Sequence, residues 1–390
     1  MSAASRRFQI ASIFTCYAVA GVFWGAYVAS LPAFQAISGL SEGRFGLLIT
    51  ATTIGGIIAM QGLGRVLHRV QAWAIPVCLT GFAAGMVLLG LAQGPLSIAP
   101  ALLVAGAASG ALDISLNMRV ARIEGDFGTR LFNRVHALFP FSMLVVSALV
   151  GLAREAGATP AMVFPPLALL LVVVAAVERR AGAHQRPDAD TAKGTARLRL
   201  RGVLLTLGAL AAIGAIMEGG AHIWSAIYVE HPLAAGPALA GFASAAITLG
   251  LTVGRLAAHQ VEHRFRDMTI LRASALVAVP AFLILAASDS APVAILGFFL
   301  AGVGIGPIEP AVFRSVTKRN EGPERGRALA LATGLAYVGY LASPPVFGAI
   351  IQGAGWPQMW IVAGAFGLAA SALTLRIPPA GARPTASGAN

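Results

Sequence analysis

Five ionisable residues lie inside strongly apolar stretches of the chain, and their spacing indicates what chemistry they offer. Glu218 is followed at i+4 by His222, which puts a carboxylate and an imidazole one helical turn apart on one face. Such a pair either exchanges a proton and holds a polar ligand, or hydrogen-bonds its helix to a neighbour. Asp113 and Asn117 repeat the spacing. Asp113 reads either as a proton-carrying carboxylate or as a charged latch for Arg119 or Arg134 at an inner gate. Asn117 reads as a helix-packing hydrogen bond or a ligand contact. Glu309 stands between Pro307 and Pro310, where two missing N–H groups free backbone carbonyls. A proton-coupling role and a pairing with Arg314 are both open to it. His136, two residues after Arg134, is a gate element or an interfacial cap on a neighbouring carbonyl. A carboxylate at the centre of a membrane helix costs about 2.5–3.5 kcal/mol on insertion scales, so these residues are expected to face a bundle interior.

Among neutral side chains, Trp24, Tyr27, Trp224 and Tyr337 are the aromatics that would line a pocket and stack on a flat ring, the alternative being interfacial anchors. Other chemistries are missing. The sequence has no phosphate-binding glycine loop with its lysine and no His-Glu-x-x-His motif. Cys16 and Cys78 both lie in apolar runs, which argues against a disulfide framework or a thiolate metal site. No cofactor, metal or enzymatic activity is expected.

The elements that must position these residues follow from composition. The 390 residues are 57% hydrophobic and 11% charged, against about 25% charged in a soluble domain. Twelve apolar stretches cover approximately 10–33, 45–64, 72–92, 96–118, 135–153, 160–177, 203–229, 237–258, 270–288, 291–313, 328–352 and 357–375. Each approaches the ~20 residues that a helix needs to cross ~30 Å of hydrocarbon. None alternates polar with apolar as barrel strands do, so the fold class is an all-α membrane protein with twelve spans. With the N-terminus inside, 26 of the 28 Lys and Arg residues fall on the cytoplasmic side, leaving only Arg44 and Arg154 outside. The positive-inside rule therefore places both termini in the cytoplasm. The net charge of +12 is spread over every inner loop, which excludes the single basic stripe of a nucleic-acid binder. Ser5-Arg6-Arg7-Phe8 looks like a twin-arginine signal, but eleven more spans follow it, so the arginines read as orienting charges.

One long polar stretch divides the chain, giving an N-terminal six-helix bundle (1–177), a cytoplasmic loop (178–201), a C-terminal six-helix bundle (202–376) and a tail (377–390). The halves share a pattern. Trp24, Ala26 and Pro32 recur as Trp224, Ala226 and Pro232, Gly64-Arg65 as Gly254-Arg255, and Gly106, Gly110 and Asp113 as Gly302, Gly306 and Glu309. Three matches in the same order predict a pseudo-symmetric duplication.

With this layout, the basic central loop and the glycine-arginine turns after spans 2 and 8, the chain resembles a major facilitator superfamily transporter over essentially its whole length. Glu218-Gly219, Trp224-Ser225-Ala226, Tyr228, Asp113 with Asn117, Arg134-Val135-His136-Ala137-Leu138-Phe139, and Tyr337-Val338-Gly339-Tyr340 before Pro344-Pro345 resemble a bacterial fucose-permease-like subgroup. There are departures. His68 stands where the superfamily's inner loop carries an acidic residue, and Ile223 where the subgroup has an Asp. The resemblance implies a monomeric secondary transporter of a bacterial inner membrane, working by alternating access on a small polar or sugar-like solute. Glu218, His222, Asp113 and Glu309 would handle protons, and Trp24, Tyr27, Asn117, Trp224 and Tyr337 would handle substrate. Arg65, Arg134, His136 and Arg255 would serve as gates. Its partners would be the solute, protons and the lipid bilayer. Proton-driven efflux and a sensor that moves nothing are the alternatives.

Overall fold

A computed structural model describes residues 3–129, 131–182 and 202–378, and the regular structure there is all helical. The helices are α1 (Ala3–Ser38), α2 (Glu42–Gly90), α3 (Pro95–Phe127), α4 (Phe132–Glu155), α5 (Pro160–Gly182), α6 (Gly202–Glu230), α7 (Pro237–Val261), α8 (Asp267–Ala286), α9 (Ala291–Ile305), α10 (Ile308–Arg319), α11 (Gly322–Ala354) and α12 (Trp356–Thr374). Proline in the first turn of α3, α7, α9, α11 and α12 starts each helix where its missing N–H costs nothing. Together they supply 12 segments long and apolar enough to cross a membrane.

Helices and spans do not correspond one to one. Helical backbone continues through α2, which carries two spans, Glu42–Gly62 and Trp73–Gly90. Gly55 abuts Leu103 and Gly85 abuts Ala105, so both spans meet the same level of α3 and the chain doubles back between them. Span 10 is split into α9 and α10 at Gly306-Pro307, as its two prolines predict. Two expected boundaries move. α5 continues to Gly182, so Glu178 belongs to the helix and not to the loop; it is buried there in an ion pair with Arg119 of α3. α3 runs to Phe127, which leaves Asp113 about 21 Å from the helix end at 1.5 Å per residue. The apolar stretch ending at 118 implies only about 8 Å. The polar tail of α3 is held in helix because Glu124 accepts the Phe132 N–H at 2.8 Å and so ties the next helix start to it.

The duplication is visible in packing. Gly106 of α3 lies against the Thr52 carbonyl of α2, and its mate Gly302 of α9 against the Ile247 carbonyl of α7; neither site leaves room for a Cβ. Gly110 and Gly306 repeat the relation one turn on, against Gly56 and Leu251. Small residues let helix backbones approach where lipid gives no hydrophobic drive for association.

The halves meet at one end. Among the described residues, every hydrogen bond between them lies at the arginine-poor end or on its side of the centre. Arg154 of α4 makes a two-pronged pair with Glu230 of α6 at 2.8 and 2.7 Å, and its Nη1 also donates to the Ala29 carbonyl of α1. Glu155 accepts the Ala238 N–H at the start of α7 at 3.1 Å. Ser41 bonds Gln352 at 3.1 Å, and Ser147 reaches the Gly241 carbonyl at 3.5 Å. Gly46 and Gly348 pack on Pro344 and Glu42, and Gly151 packs on Gly241. The bundle is closed there, and no hydrogen bond among the described residues joins the halves at the arginine-rich end. Arg154, one of the two cations outside the charge rule, is the centre of that closure.

Two outcomes follow from this packing. Gly106→Leu must push α2 from α3 and lose about 1–3 kcal/mol by overpacking, seen as a lower melting temperature in detergent. Gly62→Leu, where a Cβ meets nothing within 4 Å, leaves it unchanged. Arg154→Ala strands a largely buried Glu230, an effect of about 3–5 kcal/mol in buried pairs. In a Ser147→Cys background, labelling from the outer side by an impermeant thiol reagent rises at least about tenfold. The native Cys16 and Cys78 are buried and do not interfere.

Candidate functional site

The C-terminal half gathers its charges near mid-span. Glu218 and His222 share a face of α6, as their spacing requires. No hydrogen bond joins them, and the His222 Nδ1 is buried without a partner. Glu218 is instead paired with Arg255 of α7, whose Nη2 lies 3.3 and 3.5 Å from its two oxygens. Glu218 thereby ties α6 to a neighbouring helix. Arg255 also donates Nε to the Gly306 carbonyl at 3.2 Å. It is thus held within its own half, with 39% of its side chain exposed. Glu309, in the first turn of α10, lies within electrostatic reach of Glu218, Arg255 and Tyr340, and its Oε1 is buried without a hydrogen-bond partner. The expected Glu309–Arg314 pair does not form. Arg314 lies five positions on, about 140° around the helix, and pairs with Asp267 at 3.2 Å and Glu262 at 3.0 Å.

The N-terminal half presents a hydrogen-bonded relay. Tyr17 of α1 donates its hydroxyl to Asn117 Oδ1 at 2.9 Å, and Asn117 Nδ2 donates to Asp113 Oδ1 at 3.1 Å. Asp113 is exposed although it stands mid-helix in an apolar span. A carboxylate at that depth has to meet water, so it faces the open space between the halves. Neither expected latch partner reaches it. Arg119, six positions on, lies about 120° around the helix and pairs with Glu178, and Arg134 is exposed in the first turn of α4. His136 stacks on Phe132 at 4.0 Å and packs on Tyr17 at 4.9 Å, with its Nδ1 2.9 Å from the Phe132 carbonyl. That carbonyl belongs to the first turn of its own helix, not to a neighbour, and the ring lies next to the relay. The side chain of Arg65, like that of His68, lies outside the described residues.

The aromatic candidates separate by depth. Trp24 is partly buried and donates Nε1 to Ser109 Oγ at 3.3 Å. Tyr27 and Trp224 are fully buried in this state, Tyr27 between Phe23 and Phe34 and Trp224 edge-on to Trp356. Both keep an unpartnered polar atom, the Tyr27 hydroxyl and the Trp224 Nε1. Tyr337 of α11 is the cross-half element, within electrostatic reach of Asp113 on one side and Glu309 on the other. Tyr17 was missed. Its signal was available in the i, i+7 spacing to Trp24, which sets both on one face of α1.

The sequence profile of the Major Facilitator Superfamily matches residues 13–319 and, in a second match, 208–390. An uncharacterised MFS-type transporter of Yersinia pestis is 26% identical over 337 residues, 86% of each chain. Membrane protein MosC of Rhizobium meliloti is 20% identical over 356 residues, 90% of this chain and 85% of that one. A variant of the nucleoside transporter NupG superposes with TM-score 0.78 at 11% identity, covering 95% of this chain and 99% of that chain. The D-xylose–proton symporter does so with TM-score 0.72 at 14% identity, covering 95% and 98%. Twelve spans in two related halves, closed at one end around mid-span carboxylates, agree with those matches, and the chain belongs to the Major Facilitator Superfamily of membrane transporters.

Proposed function

We propose that this transporter couples protons to the movement of a small polar, sugar-like solute by alternating access in a bacterial inner membrane. Both termini are assigned to the cytoplasm, so the arginine-rich end faces inward. The observation that carries the reading is a charge count. Glu218 and Glu309 share one guanidinium, Arg255. One cation and two carboxylates are neutral only when one carboxyl holds a proton, and an uncompensated charge at that depth is costly. Glu309, with one oxygen unpartnered, is the better carrier; Glu218 and Arg255 form the pair it works against. His222 and Asp113 assist, one turn away and across the open space.

The polar-solute reading rests on the facing N-terminal surface. Asp113, Asn117, Tyr17 and Trp24 offer hydrogen-bonding groups beside aromatic rings, a mixture suited to a hydroxylated ring. The motifs shared with the fucose-permease-like subgroup support it, as do the nucleoside and D-xylose carriers among proteins of like fold. Substrate contacts are assigned to Trp24, Asn117 and Tyr337, with Tyr27 and Trp224 joining when the outer end parts. Arg134 and His136 are assigned to the inner gate, which closes when the halves rock. The proposal needs one chain only, and we take the monomer as the working unit.

A thermal-shift panel of sugars, nucleosides, amino acids, organic acids and drugs tests the substrate class. Binding at 100 times Kd adds about 2.7 kcal/mol, so a matching solute raises the melting temperature clearly. Stabilisation by drugs alone would point to efflux, and binding without flux in vesicles to a sensor. With the solute in hand, Glu309→Gln in vesicles loses pH-gradient-driven accumulation while keeping solute exchange. Accumulation equal to wild type in both Glu309→Gln and Glu218→Gln would sink the proton assignment.

A further inference from the structure

Span 10 contains a pairing of missing donors with supplied ones. In a helix each carbonyl is bonded by the N–H four residues on. Pro310 has no N–H, so the Gly306 carbonyl loses its intrahelical donor, and Arg255 Nε takes its place at 3.2 Å. Pro307 likewise releases the Val303 carbonyl, and against that oxygen packs Gly254, where a Cβ would not fit. The Gly254-Arg255 pair of α7 therefore meets both carbonyls that the two prolines release. Buried carbonyls are seldom left unbonded, so the break and the pair depend on each other.

Anchoring its Nε fixes the plane of the guanidinium. The same arginine reaches Glu218 at only 3.3 and 3.5 Å, longer than the usual ~2.7–2.9 Å of a charge-assisted bond. The carbonyl and the carboxylate compete for one side chain. The charged and titratable groups facing this point are Glu218 and His222 from α6, Glu309 from α10, and Tyr340 and Tyr337 from α11, with Asp113 of α3 reaching Tyr337.

We propose that Pro310 is a positioning residue for coupling: by withholding its N–H it makes the Gly306 carbonyl the anchor that sets Arg255 between the break in span 10 and the Glu218–Glu309 pair. A proton arriving at that pair weakens its hold on Arg255 and strengthens the arginine's hold on the break, and departure reverses this. The bend between α9 and α10 thereby follows the proton. The inference rests on the proton-coupling reading above.

Protons are the only ligand the test needs. Spin labels at Ala121→Cys of α3 and Gln260→Cys of α7, exposed positions at the arginine-rich ends of opposite halves, report the opening as a distance distribution in nanodiscs across pH. The wild type shifts between two distances as pH changes. Pro310→Ala, which restores the N–H, and Arg255→Lys, which has no second planar donor, each abolish the shift or move its midpoint by about one pH unit or more. Arg255→Lys keeps the test decisive should Pro310→Ala fail to fold. Wild-type amplitude and midpoint in Arg255→Lys, or in a folded Pro310→Ala, overturn the proposal. If Glu309→Gln then removes the shift, the proton reading survives without it; if the wild type shows no shift at all, both fall.

Discussion

Lipid offers neither a charge nor a free carbonyl anything to bond, and most of the architecture can be traced to that constraint. Most charges drawn into the bundle have a protein partner, and Glu309 keeps one buried oxygen without any. Arg119 is buried with Glu178, Arg154 with Glu230, and Arg255 with Glu218 and the Gly306 carbonyl. Asp113 has water instead. Because partners are so few, a change in any one of them is felt by the helices it ties, which is what a carrier with two shapes requires.

The three buried pairs divide the labour by location. Arg119–Glu178 joins α3 to α5 inside one half and has no reason to break as the halves rock. Arg154–Glu230 joins the halves at the arginine-poor end and must break if that end parts, so its strength sets how far the shape closed there is favoured. A buried pair contributes little net stability compared with apolar packing but is costly to break on one side only. It therefore suits a latch that opens as a unit. Arg255–Glu218, within one half but beside the break in span 10, is longer than the other two, with its arginine partly exposed, and in the proposed mechanism it is the pair that answers a proton.

Glycine and proline supply the rest of the motion. Close backbone contacts at Gly106 and Gly302 make each half a firm body, and Gly151 against Gly241 brings the halves equally close at their seam. Firm halves turn a small electrostatic change into a rigid-body movement, because packed interiors do not deform continuously.

The sequence by itself determined the number of spans, the duplication and which charges stand inside apolar stretches. These depend on hydropathy over about twenty residues and on which residue types lipid rejects, both local properties. It also marked Arg154, by placing it on the wrong side of the charge rule, without showing why. Only the tertiary structure decided the partners. Glu218 has His222 on its own face but bonds Arg255 from another helix, Asp113 and Glu309 turn away from the arginines nearest in sequence, and Tyr17 reaches across to Asn117. Helical phase states which way a side chain points; which neighbour stands there is fixed by how twelve spans pack, and that depends on contacts between residues far apart in the chain.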